Sequence, residues 1–160
     1  MLDPSSADAL DLTGGVSVGG ILIGAEPYLA VSPNAAASWH FGRLALAVHD
    51  HLNILPAINR LGIGVYNQTA LTIGYSWSTG DASIGPSLSF YSVPACAGDV
   101  CGRVTGLGPG GHAQVNVYFG EHLGISTRAN VDWLGGPGTT LPSSIAAMVF
   151  AGPIVRWGPH

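Results

Sequence analysis

The chain has 160 residues, a length that suits one domain with a single core. Hydrophobic residues make up 47% of the chain and charged residues only 9%, against roughly 25% in ordinary soluble domains. The net charge of −4 is small, and all five cationic residues are arginines, so the charge does not favour a nucleic-acid partner. So few charges disfavour a water-soluble surface.

A helical membrane protein is also disfavoured, because a spanning helix needs about 20 consecutive apolar residues. The longest apolar segments, Ile21–Val31 and Ile145–Val155, are shorter, and the first contains Glu26 and Pro27. The sequence also contains 24 glycines and 11 prolines, which weaken long helices. The first residues, Met1–Ser6, lack the basic and apolar regions of a signal peptide, so we interpret the chain as a mature form.

Strands are indicated throughout the chain by apolar residues that alternate with small or polar ones. Eight segments show this period of two. In chain order they are Gly20–Val31, Ser38–His49, Arg60–Tyr66, Ala70–Ser78, Ser83–Tyr91, Ala113–Gly120, Leu123–Trp133 and Ile145–Trp157.

The two faces of these strands differ in a way that is unusual for soluble proteins. The charges that can be placed on strands fall on the face of small residues, whereas the other face is apolar. A narrow polar interior and an apolar exterior are typical of membrane barrels. The sequence therefore predicts an all-β fold, a transmembrane up-and-down antiparallel β-barrel of eight strands. The residues predicted to face lipid are Leu71, Ile73, Val115, Val117, Ile125 and Val131.

The predicted barrel domain covers residues 14–157, after a flexible tail of residues 1–13. Residues 158–160 are interpreted as a tail or the start of a tag. Two long connections, Val93–Gly111 and Leu134–Ser144, are predicted to be extracellular loops. The apolar connection Asp50–Asn59 falls where a short periplasmic turn is expected; either a strand continues into it or it forms a short interfacial helix.

This pattern resembles the small eight-stranded outer-membrane barrels, the family that includes the OmpA transmembrane domain and OmpX. The resemblance covers Gly14 to Trp157 and includes a final strand that ends in an aromatic residue, in Val155-Arg156-Trp157. It implies a location in the outer membrane of a Gram-negative bacterium, in contact with outer-membrane lipid and lipopolysaccharide. A protein partner would be contacted through the extracellular loops, in a structural or adhesive role.

Two cysteines, Cys96 and Cys101, lie in the first long loop. Outside the inner membrane the environment is oxidising, so we expect a disulfide between them. A metal site there would need more ligands than the nearby sequence offers. No metal ion and no cofactor are predicted for the chain.

The predicted interior charges are Glu26, Arg43, Arg128, Asp132 and Arg156. In a narrow lumen they must be paired, because an unpaired buried charge is costly. Closure of the first strand on the last predicts that Arg156 lies near Glu26. An ion-paired core that fills the barrel is favoured over a gated pore, since eight strands leave room only for side chains.

Three other functions remain open: a narrow channel for ions or small solutes, a lipid-modifying outer-membrane enzyme, and a soluble ligand-binding barrel like lipocalins or avidin. The six histidines raise the enzyme hypothesis, and His49-Asp50-His51 is the only compact catalytic candidate among them. No Gly-x-Ser-x-Gly motif accompanies it. We therefore predict a non-enzymatic protein with no catalytic residues.

Overall fold

The computed structural model describes residues 9–24, 26–56, 62–97, 100–135 and 144–158. These residues form eight strands joined by turns. The strands are β1 (Ala9–Ile23), β2 (Glu26–Phe41), β3 (Leu44–Leu55), β4 (Gly64–Trp77), β5 (Gly80–Ala97), β6 (Val100–Tyr118), β7 (Leu123–Leu134) and β8 (Ser144–Trp157). Within the described residues, no helix is long and apolar enough to cross a bilayer.

Each strand pairs antiparallel with the next, and β1 pairs with β8, so the sheet closes into a barrel. The predicted fold class is confirmed. The closing register runs from Leu12 opposite Trp157 to Ile23 opposite Ala146. Even the shortest strands have 12 residues, and about 9–11 tilted residues cross a bilayer.

The predicted number of eight strands is correct, but only because two errors in the strand boundaries offset each other. The predicted segment Gly20–Val31 contains the β1–β2 turn, where Gly24 has a positive φ of 61°. Two other predicted segments, Arg60–Tyr66 and Ala70–Ser78, overlap a single strand, β4. The alternation of apolar residues continues through the β1–β2 turn, so the pattern did not reveal that turn. It pauses within β4, so the pattern divided this strand into two segments.

The predicted N-terminal tail of residues 1–13 needs correction, because β1 begins at Ala9. Residues 1–8 lie outside the described part of the chain. Asp50 to Leu55 continue β3, as one of the two alternatives for this segment predicted. The connection that follows Leu55 lies at the same end of the barrel as the β1–β2, β5–β6 and β7–β8 connections, and not at the end of the β2–β3, β4–β5 and β6–β7 turns.

The loop predicted at Val93–Gly111 is wrong, because its described residues, 93–97 and 100–111, belong to β5 and β6, which pair as a long hairpin. The many glycines suggested a loop, yet several of them make room for interior side chains. An added Cβ at Gly106 would collide with the Tyr91 hydroxyl, and one at Gly110 with the Asp132 carboxylate.

The hairpin register places Cys96 directly opposite Cys101. Opposed residues of an antiparallel pair have Cα atoms about 4.5–5.5 Å apart, within the range that a disulfide spans. The disulfide itself stays a prediction.

The two faces of the barrel have opposite chemistry. The outer face carries exposed Leu, Ile, Val and aromatic side chains along every strand. The six residues predicted to face lipid lie on this outer surface: Leu71, Ile73, Val115, Val117, Ile125 and Val131. The inner face is rich in buried Ser, Asn, Gln, His, Asp and Arg side chains.

Neighbouring glycines on β1 provide a test of how tightly the barrel closes. An added Cβ at the inward Gly19 would lie 2.1 Å from the carbonyl oxygen of Val149 on β8, whereas at Gly20 the nearest atom is 3.8 Å away. We expect Gly19→Ala to lower the free energy of unfolding by about 1–3 kcal/mol through overpacking. Gly20→Ala is the matched control, and urea unfolding in lipid vesicles measures both. Equal small losses in the two variants would mean that the β1–β8 seam has room to adjust.

Candidate functional site

The interior of the barrel is closed at one end by apolar side chains. We call this end, where β3, β5 and β7 finish, the loop end, and the opposite end, where β1 starts and β8 finishes, the termini end. Tyr66 and Tyr91 stack across the loop end with ring centroids 6.1 Å apart. Leu55, Val93 and Leu134 belong to the same buried cluster. We call these five residues the apolar cap.

Directly below the apolar cap, Asp132 is fully buried and accepts hydrogen bonds from two strands across the lumen. The Tyr66 hydroxyl donates to it over 2.7 Å, and the Gln68 amide over 2.9 and 3.1 Å. The hydroxyls of Ser87 and Ser89 donate over 2.9 and 2.6 Å. These are neutral donors, and a carboxylate that accepts several of them can stay charged without a cation partner. Asp132 thereby connects β7 to β4 and β5.

Arg128, four residues before Asp132 on the same face of β7, is also buried. Its guanidinium donates to Ser32 and Asn53 over 2.6 Å each and to Nδ1 of His51. It also lies over the Phe150 ring, 4.3 Å from the centroid. Among the described residues, no carboxylate forms a salt bridge with Arg128. Its charge is therefore met by neutral acceptors and an aromatic face.

A cluster of three buried histidines lies beside Arg128. His49 and His51 come from β3, and His112 comes from β6, three strands away around the barrel. Their ring centroids are 5.0–6.0 Å apart. His49 Nε2 hydrogen-bonds with Thr72 over 2.9 Å, and His112 Nδ1 with the Asn130 side-chain oxygen over 2.6 Å. We call His49, His51 and His112 the histidine cluster.

At the termini end the interior holds a polar mouth with a cavity of about 20 Å³. Asp11, His40, Asp81 and Arg156 line it, together with His49 of the histidine cluster. His40 Nε2 and Asp11 are 3.3 Å apart, and Asp81 accepts hydrogen bonds from Tyr118 and Asn116. The Arg156 guanidinium lies 4.2 Å from the centroid of the Tyr118 ring. The cavity has room for about one water molecule.

One of the five predicted interior charges, Arg43, needs correction. Arg43 does not point into the barrel: it lies in the β2–β3 turn and is exposed, where it donates to the Tyr75 hydroxyl over 3.0 Å. This hydrogen bond raises the pKa of the Arg43 guanidinium above its ordinary value. The positive φ of Gly42 forms the turn and ends the alternation that placed Arg43 inward.

The predicted proximity of Glu26 and Arg156 is wrong. Glu26 begins β2 at the loop end, opposite Ile23, whereas Arg156 lies opposite Thr13 at the termini end. Thr13 is in turn opposite Ala36, ten residues along β2 from Glu26. At about 3.3 Å per residue, roughly 30 Å separates the two levels. The closure of the last strand on the first was predicted correctly, but the first strand had been placed one strand too late.

The catalytic candidate His49-Asp50-His51 is also not assembled. His49 and His51 face the interior, but Asp50 lies on the exposed outer face and accepts a hydrogen bond from Thr69. Alternate residues of a strand point to opposite sides, so Asp50 cannot orient either imidazole. Among the described residues, no triad of nucleophile, histidine and acid is formed by this motif.

Sequence reasoning missed the contribution of His112, Gln68 and Asp81 to the interior. Parity along β6 assigns His112 to the same side as Gln114, so its inward direction could have been predicted. The height of His112 along the barrel could not be predicted, because it depends on the register of the β5–β6 hairpin, which had been interpreted as a loop.

No protein-family model and no curated protein sequence matches the chain. Solved structures do match in fold. Neisserial surface protein A aligns with a TM-score of 0.62 at 13% identity, covering 94% of this chain and all of that protein. The chain therefore has the fold of the small eight-stranded outer-membrane barrels.

Two further structures share this fold. The N-terminal barrel domain of OprF from Pseudomonas aeruginosa aligns with a TM-score of 0.51 at 13% identity, covering 94% of this chain and 98% of that domain. Ail from Yersinia pestis, solved with the heparin analogue sucrose octasulfate, aligns with a TM-score of 0.54 at 10% identity. That alignment covers 94% of this chain and 99% of Ail.

The hydrogen bond from Tyr66 to Asp132 provides a test of the interior network. We expect Tyr66→Phe to lower the free energy of unfolding by about 1.5–3 kcal/mol, because it removes a donor to a buried charge. The control is Tyr75→Phe, which removes an exposed hydroxyl and its hydrogen bond from Arg43, with an expected change within about 1 kcal/mol. Urea unfolding in detergent micelles measures both. A Tyr66→Phe variant as stable as the control would show that Asp132 does not depend on this donor.

Proposed function

We propose that the chain is a non-enzymatic integral protein of the outer membrane of a Gram-negative bacterium. In this proposal the barrel is a non-conducting anchor, and the β5–β6 hairpin at the loop end makes contacts at the cell surface. The observation that carries the proposal is the inversion of the barrel: apolar residues cover the outside, while the charged Asp132 and Arg128 are buried inside.

The exterior supports a location in lipid. Soluble monomers rarely expose a contiguous apolar patch above a few hundred Å², whereas here exposed apolar side chains surround the barrel. Exposed tryptophans lie near the strand ends, with Trp39, Trp77 and Trp157 at the termini end and Trp133 at the loop end. Aromatic girdles at both interfaces are typical of membrane barrels. Outer-membrane lipid and lipopolysaccharide are the lipids that would cover this surface.

The interior supports an anchor over the alternatives of a channel or a soluble ligand-binding barrel. The apolar cap packs at the loop end, and below it Asp132 accepts and Arg128 donates hydrogen bonds that cross the lumen. A continuous water path for solutes is not compatible with this packing. A lipocalin-like barrel would line its interior with apolar side chains, whereas most of this interior is polar.

The β5–β6 hairpin extends past its neighbours at the loop end. β4 pairs with β5 only up to Ser92, and β7 pairs with β6 only from Gly110 onward. Arg103 on the hairpin donates to the carbonyl oxygens of Ile63, before β4, and of Ser92. These bonds hold the base of the hairpin against the rest of the barrel, so that the hairpin extends outward as a two-stranded ribbon.

A protein partner fits this surface better than a sulfated sugar. Ail was solved with a heparin analogue. Polyanions are bound by clusters of basic residues, but this chain has a net charge of −4 and no lysine. On the described part of the hairpin Arg103 is the one basic residue, and it is already used by backbone carbonyls.

Recording from planar bilayers tests the anchor against the channel. We expect the refolded chain to give no discrete conductance steps, because the apolar cap and the Asp132 network fill the lumen. A large porin recorded in the same bilayers serves as the positive control for insertion and detection. Reproducible single-channel openings from the purified chain would contradict the anchor proposal and favour the narrow channel.

A further inference from the structure

The histidine cluster is not used by the anchor function, and its geometry points to a ligand. We propose that His49, His51 and His112 bind one transition-metal ion of the zinc type inside the barrel. One nitrogen of each residue lies within 4.8 Å of the corresponding nitrogens of the other two. All three side chains are at most 3% exposed. A metal ion between them would be held by two strands on different sides of the lumen.

Hydrogen bonding leaves two of the three imidazoles with a free lone pair. The Thr72 hydroxyl lies 3.5 Å from the carbonyl oxygen of Ala47, and when it donates to that oxygen it accepts from His49 Nε2–H, which leaves the lone pair on Nδ1 of His49. Asn130 accepts from His112 Nδ1–H, which leaves the lone pair on Nε2 of His112. Neither of these buried nitrogens has a hydrogen-bond partner of normal geometry among the described residues.

The third imidazole, His51, needs one additional step. Arg128 can only donate, so Nδ1 of His51 accepts from it, and the proton of the neutral ring lies on Nε2. This Nε2 also has no hydrogen-bond partner among the described residues. Coordination through Nε2 therefore exchanges that proton for the metal ion: the proton goes to solvent, the ring becomes an imidazolate, and the Arg128 guanidinium offsets its negative charge at Nδ1. His49 and His112 are the primary ligands, and His51 completes the set.

The donor chemistry selects the class of metal. Imidazole nitrogens bind zinc, copper, nickel and iron, whereas calcium and magnesium require oxygen ligands. Three histidines with one open position form a tetrahedral site for zinc. Thr72 and Asn130 would be its outer partners, since each holds the second nitrogen of a ligating ring.

The polar mouth at the termini end is the side from which an ion would approach the cluster. His49 lines the cavity of the polar mouth together with Asp11 and Asp81. The two carboxylates outnumber the one guanidinium of the mouth, that of Arg156, which favours a cation there, and the cavity borders the first ligand. The apolar cap closes the other end, so the ion would enter from the side of the chain termini.

Metal binding by the full chain, refolded in detergent micelles, tests the proposal. After equilibrium dialysis against Zn²⁺, elemental analysis should find one zinc per barrel. We expect His49→Gln and His112→Gln each to weaken binding by more than about 100-fold, and Thr72→Val by about 10- to 100-fold. The matched control is His122→Gln, an exposed histidine of the β6–β7 turn, which should leave binding unchanged.

The visible spectrum of bound Co²⁺ provides a readout that does not depend on the variants. Intense tetrahedral-type bands from the wild-type chain support the three-histidine site, whereas weak octahedral-type bands overturn it. Heat-modifiable electrophoretic mobility shows whether each variant is folded. A folded wild-type barrel without stoichiometric zinc overturns the proposal. So does binding that persists in the folded His49→Gln and His112→Gln variants, or binding that His122→Gln removes.

Discussion

The pairing of β1 with β8 is the constraint on which the rest of the structure depends. It removes the two free edges of the sheet, so that every strand has a hydrogen-bonded neighbour on both sides. A chain that sits in lipid has no water to satisfy its backbone, and closure is the way a sheet meets that requirement. Closure also creates a narrow interior, and eight strands leave it just wide enough for side chains.

The interior follows from that narrowness. Side chains from opposite sides of the barrel contact each other, and buried polar groups without water must form hydrogen bonds with one another. Asp132 does this with hydroxyls and an amide from β4 and β5, and Arg128 with acceptors from β2 and β3. The two residues lie on one face of β7, with Cα atoms about 13 Å apart by strand geometry, and the hydrogen-bond partners of each side chain are neutral. For Arg128 and Asp132, the predicted ion pairing is thus replaced by two separate networks of neutral partners.

The class of fold could be predicted from the sequence, because each strand shows by itself the alternation of apolar residues and a polar face of small residues with few charges. The inward direction of Arg128 and Asp132, and the outward direction of Leu71 and Val131, follow from parity alone. Contacts across the lumen depend on register and on the true start of β1, which the glycine-rich segment before Gly20 obscured. Because the first strand was misplaced, Glu26 was predicted beside Arg156. Because the β5–β6 hairpin was interpreted as a loop, the contact of His112 with His49 was not predicted.

The central claim is that the apolar exterior is a lipid-facing surface, and the depth dependence of a charge tests it most directly. Leu71 lies at the middle of β4, whereas Val117 lies at the end of β6, opposite Gly80. In refolding into lipid vesicles, Leu71→Arg should cost about 2–4 kcal/mol and Val117→Arg about 0–1 kcal/mol. Equal costs within about 0.5 kcal/mol at both positions, as on a water-exposed surface, would contradict the account.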